Sequence, residues 1–407
     1  MLTGIAVLAI FCGTIQLGAA EEKKGTRTLR FVQDDAQDYM VSKIYTLKYV
    51  QSNDIMPFVT SIVKRYNMNS VVNCIEYGNN NLQVDAFRAE GIHVGFYYSL
   101  IDWHHPDFII DNRIGPYREL SEEERKKMNE GRDMKRYAQY MRNQVRELLT
   151  EYGKIDILWF DFSYPAPDGN PEHGKGHNEW ESEELVKMIR SIQPDIILDN
   201  RLDLPDEGDI HTPEQYTPCE GLKDKDGKPI VWEGCQTFSG SWGYHRDEQT
   251  WKSPKQCIDL LIDHVSRGGN LLMNVGPTSR GYLDSRALNS LKAYADWMHY
   301  NQRSIYNCGP APAEFPPPLD GRYTYNKETN TLYLHLMNWP FKHVHLPGLH
   351  GKIAYAQLLH DGSEIKIVSS PSAPSHVTAQ SPAQAETLLL PVNKPDVEVP
   401  VIELFLK

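Results

Sequence analysis

Nothing in this 407-residue chain offers a cradle for a phosphate group. It contains no G-x-G-x-x-G turn and no Walker-type loop, so the usual signatures of dinucleotide and nucleoside-triphosphate chemistry are missing. There is no H-E-x-x-H, no Cys/His pairing with zinc spacing and no G-x-S-x-G elbow, which argues against metal ligation and against a serine hydrolase. Cysteine is scarce, with six in all and no C-x-x-C. If Cys12 leaves with a leader, Cys74, Cys219, Cys235, Cys257 and Cys308 remain, an odd set that suggests no disulfide framework. Positive charge is also short, at 42 Lys and Arg against 54 Asp and Glu. A net charge of −12 leaves no basic footprint for nucleic acid. No apolar run is long enough for a membrane span. The N-terminal "MLTGIAVLAIFCGTIQLGAA" is apolar but lacks a basic n-region. Gly18 and Ala20 still supply the small residues of a cut before Glu21, so a signal peptide over residues 1–20 is expected. The destination would then be secreted, periplasmic or lysosomal. No N-x-S/T sequon occurs.

What is present is an alternation of strands and helices. "IHVGFYY" reads as a strand, and the helical stretch after it opens on a capping box, Ser121 with Glu124. Within that stretch Met134, Tyr137, Met141, Val145 and Leu148 recur at helical spacing, and Gly153 marks the stop. "IDILWF", "IILDN", "PIVWEGCQ" and "NLLMNVG" follow as strands, separated by amphipathic helices. Near-continuous apolar strands between such helices imply a parallel sheet covered on its faces. Ser99, Asp161, Asn200 with Arg201, Glu233 with Gln236, and Asn274 read as polar residues closing these strands. Polar groups there favour a (β/α) TIM-like barrel, whose functional groups stand at the C-terminal strand ends. Beyond the proline-rich "PAPAEFPPPLDG" come seven short β-like runs divided by turn residues, an expected C-terminal antiparallel β-sandwich. The expected organisation is a leader at 1–20, a divergent segment at 21–83, a catalytic barrel at 84–309 and the sandwich at 310–407.

Chemistry concentrates in carboxylates and aromatics. "IDILWFDFSYP" sets Asp161 at the end of a buried strand, where an Asp can also simply cap the following loop. Glu214 in "HTPEQ" and Glu233 in "VWEGCQ" offer a second carboxyl group. Two carboxylates suit glycoside hydrolysis, with retention when they stand about 5–5.5 Å apart and inversion when a water fits between them. Arg201 can fork donors onto hydroxyls or pair with a carboxylate. Trp159, Trp232 and Trp242 offer flat apolar faces, with core packing the competing role, above all for Trp159. Trp242, set among Gly240, Ser241 and Gly243, is the better binding candidate. In "GFYYSLIDWHHPD", adjacent His104 and His105 point opposite ways on an extended segment, so one metal would rarely take both.

The ordered set "AEGIHVGFYYSLIDWHHPD", "ILWFDF", "LDNR", "GDIHTPEQ", "VWEGCQTFSGSWGYHRDE", "WKSPKQCIDLLIDHVSRGGNLLMNVGPTSRGYLD" and "NQRSIYNCGPAP" resembles the α-L-fucosidases of glycoside hydrolase family 29. It runs from about Val84 to the C-terminus, roughly four-fifths of the chain. The resemblance implies a barrel followed by a β-sandwich, releasing terminal α-L-fucose from glycans with retention, by double displacement and without a cofactor or metal. Its partners would be fucosylated glycans or glycoconjugates, with homo-oligomers also in view. On this resemblance Asp161 matches the nucleophile and Glu214 the acid/base, with Glu233 as the alternative acid/base. Tyr97, Arg201 and Trp242 match sugar-contacting positions, and Trp159 lies beside the nucleophile. Trp103, His104 and His105 would form the loop above the pocket. The first 80 or so residues depart from the family. Its opening Phe-Gly-hydrophobic-Phe-hydrophobic-His-Trp-Gly strand and its His-His-acidic-Gly-Phe segment are both missing. A frame displaced to the third base of the Asp54 codon permits a His-His-Ala-Phe-Cys-His-Phe-Asp-Ser reading close to the missing histidine segment. The alternative function is a non-catalytic secreted fucose- or glycan-binding pseudoenzyme with an incomplete barrel, because lost hydroxyl contacts remove several kcal/mol of transition-state binding.

Overall fold

The structure is a computed structural model. It describes residues 82–407 except 114, 206–207 and 369–384, together with three short strands nearer the N-terminus. Those strands, β1 (Arg30–Gln33), β2 (Met40–Ser42) and β3 (Ser70–Asn73), pair antiparallel in the order β2-β1-β3. The expected leader and the rest of the divergent 21–83 segment lie outside the described residues. The chain divides into two compact units at Ile210/His211, inside the stretch expected as one catalytic domain.

In the first unit, α1 (Leu82–Ala89) leads into β4 (Gly95–Ser99). Then come α2 (Glu122–Asn129), α3 (Met134–Glu151) and β5 (Ile157–Asp161). After these come α4 (His177–Trp180), α5 (Ser182–Ile192) and β6 (Ile197–Leu198). The three strands pair parallel in the order β4-β5-β6, as the apolar runs between amphipathic helices implied. Ser121 and Glu124 form the expected capping box at the start of α2. A second cap, not anticipated, splits the long helical stretch: Asp133 accepts from the Lys135 N–H at 2.8 Å and starts α3. The buried stripe of α3 is Met134, Tyr137, Ala138, Met141, Val145 and Leu149, so the last contact falls one residue beyond Leu148. Gly95 has a packing reason, since a Cβ there would sit 2.0 Å from the Ile157 side chain. Behind the sheet, Phe108, Tyr137 and Trp180 are buried together, with Tyr137 edge-on to Phe108 at 5.1 Å.

One ion pair is fully enclosed in this core. Lys175 and Asp111 are both 0% exposed and bonded to each other, and the Tyr164 hydroxyl donates to Asp111 at 2.9 Å. Burial pulls the Lys175 ammonium below the usual lysine range, and the Asp111 charge opposes that pull. Breaking such a pair costs more than the pair contributes, because the remaining charge has no water.

In the second unit, β7 (Glu233–Thr237) and β8 (Asn270–Asn274) pair parallel, with α6 (Pro254–Ser266) between them. After β8 come α7 (Ser285–Asn301) and the β-strands of the C-terminal part. These are β9 (Gly309–Pro310), β10 (Gly321–Asn326), β11 (Thr331–Leu336), β12 (His343–Leu346), β13 (Ile353–Leu358), β14 (Lys366–Val368), β15 (Glu386–Leu389) and β16 (Val401–Leu406). All seven β-like runs of the sequence become strands, and β9 adds a short edge from the proline-rich stretch. They form two antiparallel sheets, β13-β16-β11-β10-β9 and β12-β15-β14. Leu332, Leu334 and Leu336 from one sheet share a core with Val344, Leu346 and Leu388 from the other, which makes a β-sandwich. Every residue of β11 is buried. Its second face meets the helices, where Tyr333 joins Ile258, Ile262 and Trp297.

His335, on that second face, is fully buried, with Nε2 2.9 Å from Thr324 Oγ1. The Thr324 hydroxyl already donates to the Ser304 carbonyl, so His335 donates through Nε2 and is neutral. Burial pulls its imidazole down to about 3.

Two stability tests follow. Lys175→Met should lower unfolding free energy by about 3–5 kcal/mol in urea titrations. For His335, the unfolded chain takes up a proton below about 6.5 while the folded chain resists until about 3. This group's stability is therefore complete above pH 6.5 and is lost as pH falls towards 3. The acid-side slope of unfolding free energy against pH should flatten in His335→Gln. An unchanged slope would mean that other groups carry it.

Candidate active site

Asp161 is the last residue of β5, and the parallel register sets it level with Ser99 on β4, with Trp159 level with Tyr97. Three donors converge on its carboxylate. The Tyr97 hydroxyl donates to Oδ2 at 2.7 Å, Arg201 Nη1 donates to Oδ1 at 2.8 Å, and the Phe162 N–H donates to Oδ1 at 2.9 Å. Arg201 comes from the turn after β6, next to β5 in the sheet, which explains how residues 40 apart in sequence meet. Phe162 holds a left-handed φ of 79°, costly for a bulky residue, and that turn aims its N–H back at the carboxylate.

Trp159 supports this group from below. It is 4% exposed, its ring stacks on Tyr97 at 5.7 Å, and the Arg201 guanidinium lies 4.3 Å above its ring. It is therefore a buried platform that orients Tyr97 and Arg201, in line with its core-packing alternative. Behind the site stands Asp199, 2% exposed, whose Oδ1 accepts the Phe160 N–H at 3.2 Å. Burial raises the Asp199 carboxyl well above the usual carboxylate range, and the nearby Asp161 charge adds to the rise. Sequence reasoning missed this residue, although an acid inside the apolar "IILDN" was a usable signal.

In the loop expected above the pocket, two of the three side chains pack inward. His105 stacks on Tyr140 at 4.2 Å and lies edge-on to Tyr137, so α3 takes its ring. Trp103 packs against the unit's core. His104 donates its N–H to Asp102 and is exposed, and among the described residues no group of three or more metal-ligating side chains forms.

In the second unit, residues 211–215 run beside β7 through parallel bridges, His211 to Trp232 and Glu214 to Cys235. The Gln215 N–H donates to the Cys235 carbonyl at 2.9 Å, and Gln215 then turns into a left-handed φ of 58°. Glu214 thus closes its short extended run and is exposed. Glu233 does not close a strand. It opens β7 opposite Asn270, and Thr237 is the residue that reaches the far end with Asn274. The expectation of a strand-closing Glu233 is corrected accordingly, and Trp232, 1% exposed, is core.

Trp242 is 38% exposed in the loop after β7. Asn274, at the end of β8, donates to its carbonyl at 2.6 Å. A Cβ on Gly276 would meet the Gly243 backbone at 2.4 Å, so the next loop packs directly against this one. Glu248 ties the loop together. Ser241 donates to one carboxylate oxygen, and the Thr250 N–H and hydroxyl donate to the other at 2.7 and 2.6 Å. These bonds lower its carboxyl to about 2. Phe238, Tyr244, Trp251 and Asn274 border a shallow cleft here. Nothing in the sequence separated Glu248 from the other acids of "GYHRDE".

Among known proteins, the family model Alpha-L-fucosidase matches residues 79–303. The chain is 26% identical to rat plasma alpha-L-fucosidase over 270 residues, 64% of this chain and 52% of that protein. With human tissue alpha-L-fucosidase it shares 25% over 263 residues, 63% of this chain and 50% of that one. It spans about half the length of the curated relatives it matches. Among solved structures, alpha-L-fucosidase isoenzyme 1 from Paenibacillus thiaminolyticus is 41% identical with a TM-score of 0.69, covering 80% of this chain and 75% of that one. A family 29 alpha-L-fucosidase from Bacteroides thetaiotaomicron, trapped as a covalent intermediate with 2-fluoro-fucosyl fluoride, gives 25% identity and a TM-score of 0.61, covering 80% and 70%. These neighbours fit an α/β catalytic part followed by a β-sandwich. With a matched segment longer than half of the sequence and a relative of this identity and coverage, the chain belongs to the alpha-L-fucosidase family.

Proposed function

We propose that this protein is an exo-acting, retaining α-L-fucosidase that removes terminal α-L-fucose from glycans. The observation that carries the reading is the convergence of Tyr97, Arg201 and the Phe162 N–H on the Asp161 carboxylate. Family membership supplies the substrate class. Asp161 attacks the anomeric carbon as the bond from that carbon to the leaving oxygen breaks, forming a fucosyl ester. Glu214 gives its proton to the departing oxygen. In the second half Glu214 takes a proton from water, whose oxygen attacks the same carbon and frees Asp161. Two inversions give net retention.

Trp242 is the exposed apolar face for the sugar ring in this reading, and Arg201 holds Asp161 beside it. Glu214 is preferred to Glu233 because it closes its extended run while Glu233 opens β7. A (β/α) barrel goes with the same reading, since Asp161, Arg201 and Asn274 each stand at or just beyond the C-terminal end of a parallel strand. Entry into the secretory route rests on the apolar residues 1–20 alone. No helix among the described residues is long and apolar enough to cross a membrane.

With an aryl α-L-fucoside, Asp161→Asn and Asp161→Gly should each lose activity by about a thousandfold or more, a barrier rise of ~4 kcal/mol. Azide added to the Gly variant should restore turnover and give the β-azide, because it takes the nucleophile's side of the ring. Wild-type protein that binds fucose without turnover would point to the glycan-binding pseudoenzyme instead. Glu214→Ala should slow substrates with poor leaving groups by about 10²-fold or more and leave fucosyl fluoride, which needs little protonation, far less affected. Glu233→Gln should stay within about threefold of wild type, below ~0.7 kcal/mol. The reverse ranking of these two variants would transfer the acid/base role to Glu233.

A further inference from the structure

Asp199 is a buried acid with no part in the double displacement. It follows β6 directly, and its backbone bridges to Ile210. Its Oδ1 faces two N–H groups that matter to the nucleophile. One belongs to Phe160, the residue before Asp161, at 3.2 Å. The other belongs to Arg201, the cation on Asp161, at 3.5 Å. A single oxygen thus links the backbone of the nucleophile's strand to the backbone of its counter-charge. Oδ2 is buried and, among the described residues, has no hydrogen-bond partner.

Resting on the fucosidase reading, we propose that Asp199 is a positioning residue that sets the Asp161 carboxylate and Arg201 in register through its Oδ1. It touches no substrate and acts through the two backbones.

The charge state follows from what surrounds it. Asp161 on β5 repels a second negative charge, and Arg201 on the same turn attracts one. Across the Ile210 bridge, Asp209 is engaged with Arg190 and the Leu198 N–H. Burial outweighs the favourable contacts and raises the carboxyl well above the usual carboxylate range. A shift in that direction suits the task. An ionised Asp199 would compete with Asp161 for Arg201, whereas a neutral one keeps the acceptor and leaves the guanidinium to the nucleophile. Asn reproduces that acceptor and Ala removes it.

The test compares Asp199→Ala and Asp199→Asn for kcat and KM on an aryl α-L-fucoside, the rate of inactivation by 2-fluoro-fucosyl fluoride, the pH profile and thermal unfolding. Ala should lower kcat and the inactivation rate together by about 10- to 100-fold, the scale of a misplaced reacting group, with KM nearly unchanged. Asn should rescue most of that loss and keep the wild-type pH profile. A folded Ala variant with wild-type kcat overturns the proposal, as does an Asn variant as impaired as Ala. If Ala does not fold, Asn decides alone: an active variant with the wild-type pH profile supports the proposal, and a lost or displaced limb overturns it. An active wild type with an impaired Asn variant sinks the positioning role only. A wild type silent in both turnover and inactivation sinks the fucosidase reading, and the inference falls with it.

Discussion

A carboxylate at the end of a buried strand survives only if donors surround it, and the first unit is arranged around meeting that demand for Asp161. Charge-assisted hydrogen bonds of this kind contribute about 1.5–3 kcal/mol each, but only where geometry is fixed beforehand. The fixing is done by sheet register. Pairing β4 with β5 sets Tyr97 beside Trp159, so the phenol leans across the indole to reach Asp161. Pairing β5 with β6 brings Arg201 from the next turn over the same indole. Trp159 has to be buried for this to work. A mobile indole would hold neither the hydroxyl nor the guanidinium in place.

The second unit solves a different problem, that of presenting an exposed tryptophan without letting its loop wander. Trp242 is held from the β8 side by the Asn274 side-chain amide on its carbonyl and by the close approach of Gly276 to Gly243. The Glu248 carboxylate holds the loop from within. Because those hydrogen bonds lower Glu248 to about 2, this tether persists throughout the neutral and mildly acidic range. The β-sandwich contributes its own rigidity. β11 is buried on both faces, against β12 and β15 through one shared core and against α6 and α7 through another.

The sequence revealed these features unevenly, for physical reasons. Asp161 and Arg201 were legible because an apolar run that ends in a polar residue is a strong strand signal, and seven short alternating runs marked the sandwich. "PIVWEGCQ" misled because it is apolar on both sides of Glu233. Periodicity does not say which side is strand, and Glu233 opens β7 rather than closing it. The paired histidines were hard to place for a different reason. Crowded aromatics read alike whether they face a ligand or a helix, and only the turn in which the His105 N–H meets the Asp102 carbonyl shows His105 directed at α3. Apart from the short strands β1–β3, the segment that replaces the family's histidine motifs lies outside the described residues, so the resemblance alone speaks to it.

Asp161 and Asp199 show how one residue type takes two roles a short distance apart. Both follow or end neighbouring parallel strands, and both accept backbone N–H groups. Asp161 also receives a phenol and a guanidinium, is partly open, and so can present an anion to a substrate. Asp199 receives only backbone donors and is closed off. Burial therefore raises its carboxyl well above the usual carboxylate range, although Arg201 lies in the same turn. Exchanging the two environments would leave the nucleophile buried without its cation and the positioning residue facing the sugar. The division of labour depends on where the guanidinium points, and that direction is set by the Trp159 ring beneath it.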